Sequence, residues 1–577
     1  MNSSTYIKPT NVGKGSSSHL YSRFSPWMSI LVMVVLALLP IANGFAVPGT
    51  MGAQQHLIQA QTPPTHFTAS MFPGRIEWNP LYTYTSSEAQ LFTAIYEGLV
   101  IYHPRTLQPI PGVASSWTRS EDNRTYTFTI RPDARYHDGT PVRAQDFKDT
   151  WIHMLQPSHN APFGFLLDNI IGVRDFRTGR ATSPSGIGIQ VPNDQTLVLN
   201  LINPAPHFLS ILAHQSLVPM HRDFRNTRRW GINDQIPSNG PFIVSSLSSN
   251  RIEFARNPQY WDRVNVGLDR ITIIQRDDAG QNTRDFNAGS IDWIMSSFDS
   301  SAIRVPNSLL IGAQFATTYL FPNTQSPIFA NDNIRRAILS YLPMDSIRNP
   351  DIYFVPSARL VPQIDGYPEP QGFQNLSAEE ALSILDDQGF PSGRGLRPLR
   401  IILTQGQESQ RIGELIKSAL ESALELSVVV SYHSFDELQD IQATGEFDLS
   451  LISWVGDYAD PLTFLDLWQK DNPINLARFN DPEFEELLDE AALKVGNDRF
   501  AALSRAESRL LTTGAVIPIA HSPSINVIDL REISGWYVNP LDIHPFKDIR
   551  FEGNRAPADV VEDSLRFWDP SFVGVRY

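Results

Sequence analysis

Two carboxylates three residues apart, Asp457 and Asp460, stand in the stretch 453–462 (SWVGDYADPL) among Trp454, Tyr458 and Pro461. Such a pair admits several chemistries. It could be the acid and base of glycoside hydrolysis, a set of metal ligands, a device that caps a following helix, or a charge held for a ligand cation. Spacing alone does not decide among them. Asp460 directly precedes Pro461, the pattern of a helix start, where a carboxylate accepts from orphan backbone N–H groups and proline fills the first position. Asp457 differs, because it follows the apolar run 447–454 (FDLSLISW) and so falls at the carboxyl end of an expected strand, where α/β sheets bind ligands. A carboxylate partly buried there needs a cationic partner, and a ligand ammonium can supply it.

Walker loops, paired His-Glu-x-x-His ligands and Gly-x-Ser-x-Gly elbows are all missing from the chain, which argues against an enzyme and implies no cofactor. A hydrolase using Asp457 and Asp460 remains a remote alternative, since no nucleophile or base arrangement supports it. The 13 histidines are scattered singly, which disfavours a histidine metal cluster, and with no cysteine there can be no disulfide, zinc–thiolate site or thiol nucleophile. The aromatic residues Trp78, Tyr82, Tyr84, Trp454, Tyr458 and Trp468 fit either a core or a wet cleft for peptides or sugars. A net charge of −15 with 19% charged residues disfavours nucleic acid as a partner.

The elements that must position these groups read as follows. At 577 residues the chain exceeds one ordinary core, so several domains or one large discontinuous body are expected. Residues 1–26 carry Lys8, Lys14 and Arg23 without an acidic residue, and the apolar segment 27–42 (WMSILVMVVLALLPIA) follows, with small residues at Ala42 and Gly44. This pattern reads as a signal peptide over 1–46, with an uncleaved inner-membrane anchor as the alternative. Residues 47–66 read as a polar linker. Export without cysteine suits a bacterial periplasm. Beyond the linker, 125–131 (TYTFTIR) alternates as a strand, 137–141 (HDGTP) is a turn, and 144–155 places Phe147, Trp151, Met154 and Leu155 at helical spacing. Further strands are expected at 195–202 and 251–255, and helices at 333–342 and 377–385, where Ser377 and Glu380 form a capping box. From 398 to 454 strands and helices alternate as β-α-β-α-β, the order of a parallel sheet with helices on its faces.

The order of several blocks resembles the oligopeptide/dipeptide-binding family of bacterial ABC-importer solute-binding proteins, family 5. These blocks are 96–99 (YEGL), 112–117 (GVASSW), 125–131 leading to 136–147 (YHDGTPVRAQDF), 238–242 (SNGPF), 255–262 (ARNPQYWD), 333–337 (NIRRA) and 453–465 (SWVGDYADPLTFL). The resemblance spans about 67–551. It implies an α/β, two-lobed periplasmic-binding-protein fold (type II, Venus flytrap) with an additional subdomain on the first lobe. Projected here, lobe I takes 67–100, 220–312 and 524–577, the subdomain 101–219, and lobe II 313–523, so the chain crosses between lobes twice. It further implies a monomeric, non-enzymatic receptor that holds oligopeptides as an added strand and delivers them to permease subunits, with a nickel chelate or an oligosaccharide as the alternative solute.

The resemblance also implies site roles. In peptide-binding members the Asp of a Trp-x-x-Asp-Tyr block pairs with the peptide α-amino group, and Trp454, Gly456, Asp457 and Tyr458 match that block. Phe435 falls where an aromatic pocket residue is frequent, and Glu88 where a first-lobe contact is common. Some members carry a basic residue three before the Trp, which holds a short peptide's carboxylate. Leu451 stands there instead, so a fixed tripeptide length is not expected. No role is read for the tail beyond Phe551, which includes Glu562, Phe567, Trp568 and Tyr577.

Overall fold

The alternating run at 125–131 forms the strand Thr125–Ile130 in the computed structural model, which describes residues 65–226, 236–349, 354–553, 555–557 and 559–560. The expected signal peptide or anchor, nearly all of the expected linker and most of the tail lie outside those residues. His66, read as the linker's end, instead opens the strand His66–Met71, because its register pairs it with Arg270. Among the described residues no helix is long and apolar enough to cross a membrane.

Thr125–Ile130 buries Tyr126, Phe128 and Ile130 on one face, as its period of two requires. It pairs with Ala114–Arg119 on one side and Thr196–Asn200 on the other, and Ile189–Asn193 completes a four-stranded antiparallel sheet. In the turn that follows, Gly139 takes φ +89°, and the Asp138 carboxylate accepts from Thr140 N at 2.8 Å. Ala144–Met154 then runs as a helix whose Phe147, Trp151 and Met154 are buried, and Trp151 Nε1 donates to Leu217 O at 3.1 Å.

A second, larger sheet has 11 strands. At one end His66–Met71 lies parallel to Arg270–Gln275 and Trp293–Ile294, and the hairpin Phe242–Leu247/Arg251–Arg256 extends it. At the other end Leu399–Thr404 lies parallel to both Val428–His433 and Leu449–Val455, with helices Gln407–Ala423 and Phe435–Thr444 as the connections. That is the parallel β-α-β-α-β order read from the sequence. Two long antiparallel strands, Leu309–Pro322 and Ile517–Ile528, join the two ends. Gly312 pairs with Ser524 and Ala313 with Pro523, and the register then breaks before Thr317/His521 and again before Tyr319/Pro518. Such shifts bend a ladder and increase its twist. Through this break Phe315 N donates to Pro540 O at 2.7 Å and Phe315 O accepts from Gly456 N at 2.8 Å. The crossing strands are thereby tied to the stretch that carries Asp457.

Candidate binding site

Leu449–Val455 is a strand whose end is set by Gly456. A Cβ there would lie 2.6 Å from Phe315 Cδ1 and 3.0 Å from Thr463 Cγ2, so the close packing of that ring selects glycine. The chain then turns back, with Asp457 N donating to Thr463 Oγ1 at 2.8 Å, and enters the short helix Leu462–Leu465. This turn separates the two carboxylates.

Asp460 accepts from Leu462 N at 3.0 Å, the helix-start role its place before Pro461 suggests. It also forms a buried pair that the local sequence does not reveal. Its oxygens lie 2.8 Å and 2.8 Å from the two terminal nitrogens of Arg499, and 3.7 Å from His207 Nδ1. Burial opposes the charge, yet the Arg499 guanidinium holds the Asp460 carboxyl below its ordinary value. Burial and the nearby guanidinium push His207 down to about 4, so it stands there as a neutral ring.

Asp457 has weaker company. Its side chain is 10% exposed, with Oδ1 3.5 Å from His214 Nε2 and Oδ2 3.4 Å from Thr463 Oγ1. Both distances are long for a hydrogen bond. Among the described residues His214 is its one ion-pair partner within 4.0 Å. Its backbone carbonyl accepts from Tyr102 OH at 3.1 Å.

Asp457, Gly456, Trp454 and Phe435 line one cavity of about 120 Å³, and Tyr84, Thr85 and Ser86 form the wall opposite. Tyr84 meets Trp454 edge-on, with ring centroids 6.1 Å apart. Trp454 Nε1 is buried without an acceptor among the described residues. Phe435, at the start of its helix, is 48% exposed. Two expected site residues are not on these walls. Tyr458 is fully buried on the far side of the turn, stacked on His207 at 5.8 Å, with its hydroxyl donating to Asp466 at 3.3 Å. Glu88 is buried too, and its carboxylate accepts from Glu77 N at 2.7 Å, Tyr84 N at 2.7 Å and Thr85 N at 2.9 Å. It closes a capping box with Thr85, so Glu88 shapes the wall that Tyr84, Thr85 and Ser86 present. The Thr85–Glu88 spacing carried that signal in the sequence. Leu451 pairs with Leu320 and packs half-buried against the cluster of Leu320 and Ile401.

Beside this cavity the 101–219 segment meets the residues after Asp457. Arg174 donates to Gln469 and lies 3.8 Å from Glu485, Arg177 donates to Asp471 O at 2.8 Å, and Arg180 reaches the Asp471 carboxylate at 3.2 Å. Burial, reinforced by nearby Asp168, pushes Asp466 in this interface up to about 7. The unfolded chain releases the same proton near 3.8. Between those values the native state binds more protons, so its stability is greatest below the window and falls as pH rises through it. Urea midpoints measured from about pH 5 to about pH 8 are expected to show that decline, by up to about 1.4 kcal/mol per pH unit from this group. Asp466→Asn should flatten it, and an unaltered slope in that variant would discard the assignment.

The model of the family described as bacterial extracellular solute-binding proteins, family 5, matches residues 108–475. The periplasmic murein peptide-binding protein MppA of Escherichia coli is 28% identical over 455 residues, which cover 75% of this chain and 83% of that protein. The periplasmic oligopeptide-binding protein OppA of Salmonella typhimurium is 26% identical over 492 residues, 81% of this chain and 87% of that one. A solved structure of MppA, 25% identical, superposes with a TM-score of 0.76 over 85% of this chain and 98% of that chain. The unliganded open form of MppA gives 0.57 over 85% and 97% at the same identity. The arrangement here therefore departs from that open form, in keeping with the contacts of Arg174, Arg177 and Arg180 across the interface. With a mixed α/β body of this two-lobed type II kind and a cavity lined by Trp454 and Tyr84, the chain belongs to the family 5 bacterial extracellular solute-binding proteins.

Proposed function

We propose that this protein is the periplasmic receptor of an ABC importer, capturing oligopeptides in extended form and presenting them to a membrane permease. The observation that carries this reading is the Asp457 carboxylate. It lines a cavity, has no Lys or Arg within 4.0 Å among the described residues, and meets only long contacts from His214 and Thr463. A peptide α-ammonium would complete it by a charge-assisted hydrogen bond. The backbone beside it supports the same reading, because the ladder between Leu399–Thr404 and Leu449–Val455 ends at Ser450. The edge of 451–455 on that side has no partner strand among the described residues. An extended peptide can add there through main-chain hydrogen bonds, which give affinity without reading sequence.

The lobes assigned here are 67–100, 220–312 and 524–577 for the first and 313–523 for the second, with 101–219 as the added subdomain. The hinge would then lie where Gly312 faces Ser524, just before the register break. A ligand touching both walls favours the closed arrangement by its greater affinity for it. With Leu451 in place of a fixed cation, peptide length would be open-ended.

Arg174 and Arg180 would add to closure, since their contacts with Gln469, Glu485 and Asp471 exist only when the segments meet. Replacing both by Ala is expected to weaken peptide binding about 2- to 10-fold, the size of a few partly exposed pairs, and to reduce its sensitivity to salt. Titration at low and high salt measures this, and an unchanged affinity at both would remove the latch. Mass spectrometry of solute released from the purified protein tests the receptor role itself. Peptides support it, whereas a nickel chelate or an oligosaccharide would replace it.

A further inference from the structure

A second cavity, of about 80 Å³, adjoins the first and shares Ala89, Gln215 and Ile543 with it. Its other walls are mainly apolar: Phe92 and Tyr96 from the helix Ser86–Ile95 and its cap, Ile101 and Tyr102 from the strand Val100–Tyr102, and Val218. Tyr102 ties this recess to Asp457. Its ring lines the recess while its hydroxyl lies 3.1 Å from Asp457 O. His214, which faces the Asp457 carboxylate, sits between the lining residues Ala213 and Gln215. The recess thus adjoins the cavity that Asp457 lines.

We infer that this recess receives the side chain of the ligand's first residue and selects a bulky apolar group there. The inference rests on the reading of Asp457 as the amine anchor. An α-ammonium nitrogen is bonded to the carbon that bears the first side chain, so a nitrogen held at Asp457 places that side chain within reach of the recess. The chemistry of the walls disfavours a charged occupant. The one carboxylate on the lining, Glu97, is already used by Tyr260 OH and by Trp261 Nε1, the latter at 2.7 Å. The one ammonium, Lys547, repels a basic side chain and already faces the Asp262 carboxylate at 3.9 Å, and an acidic side chain would surrender its hydration among Phe92, Tyr96 and Ile101. An apolar side chain gains by leaving water in proportion to its buried area.

Calorimetry with tetrapeptides of the form X-Ala-Ala-Ala, free and N-acetylated, on the full chain tests this. Leu or Phe at X is expected to bind about 10- to 100-fold more tightly than Gly, from the burial of one such side chain, and Lys no better than Gly. Varying the second residue should matter much less. Ile101→Trp, which fills the recess from a half-buried position, should abolish the first-residue preference while Gly-Ala-Ala-Ala still binds. The peptide series on the unaltered protein stands even if that variant does not fold. Equal binding of Leu-first and Gly-first peptides, with acetylation still abolishing both, would overturn the recess and leave the anchor. Equal binding of acetylated and free peptides would overturn the anchor, and this inference with it.

Discussion

Asp457→Asn is expected to weaken binding of a free-amino oligopeptide by about 2–5 kcal/mol, the usual cost of truncating one partner of a desolvated charge pair. The carboxylate is 10% exposed, so water screens it little, and its contacts with His214 and Thr463 at 3.5 Å and 3.4 Å are too long to satisfy it. A ligand ammonium would therefore supply most of its compensation. Asparagine keeps the shape and loses the charge, which makes it the cleaner test. Acetylating the peptide should cost the unaltered protein a similar amount, and acetylation should cost the variant little further, because the two changes remove the same pair. Calorimetry on that cycle measures the coupling. If blocked peptides bind the unaltered protein as tightly as free ones, the solute does not use an amine and the peptide reading loses its main support.

The second large effect is on stability. Arg499→Met should destabilise the fold by about 3–5 kcal/mol, because it leaves the buried Asp460 carboxylate without the guanidinium that holds it, and Asp460→Asn should also destabilise it by breaking the same pair. Asp460 is 2% exposed on its side chain and Arg499 5%. The double variant Asp460→Leu/Arg499→Met is expected to be less destabilised than either single one, since apolar groups of similar size carry no desolvation cost. Urea unfolding gives all four values. A single-variant loss below about 1 kcal/mol would mean that water reaches the pair. Because Asp460 is held below its ordinary value in the folded protein, its contribution is present above the unfolded value and is lost as pH falls through the folded one. That is opposite in sign to Asp466, so the two carboxylates of one interface confine stability from the acid and the neutral side.

Short-range features were legible because their causes are short-range. Tyr126, Phe128 and Ile130 share a face by the period of a strand, and Ser377 and Glu380 cap Ala378–Asp387 because four residues contain the whole motif. The parallel order of Leu399–Thr404, Val428–His433 and Leu449–Val455 follows from their alternation with helices, since parallel neighbours need crossover connections. Asp460 as a helix start was visible for the same reason. The resemblance in the order of blocks pointed to the family before any coordinate did.

The sequence by itself therefore determined the strands, caps and turn at 453–462, and singled out Asp457 as a charge at a strand's end. Tertiary structure alone decided what surrounds it. Tyr84 and His214 reach Asp457 and Trp454 from positions hundreds of residues earlier, and Arg499 reaches Asp460 from a distant helix. Glu88 proved to be spent on backbone N–H groups, and Tyr458 to be turned into the core. No periodicity encodes such partners. They are chosen by the two crossing strands and the packing of Phe315 on Gly456, which set the segments side by side and leave one carboxylate paired with arginine and the other facing the cavity.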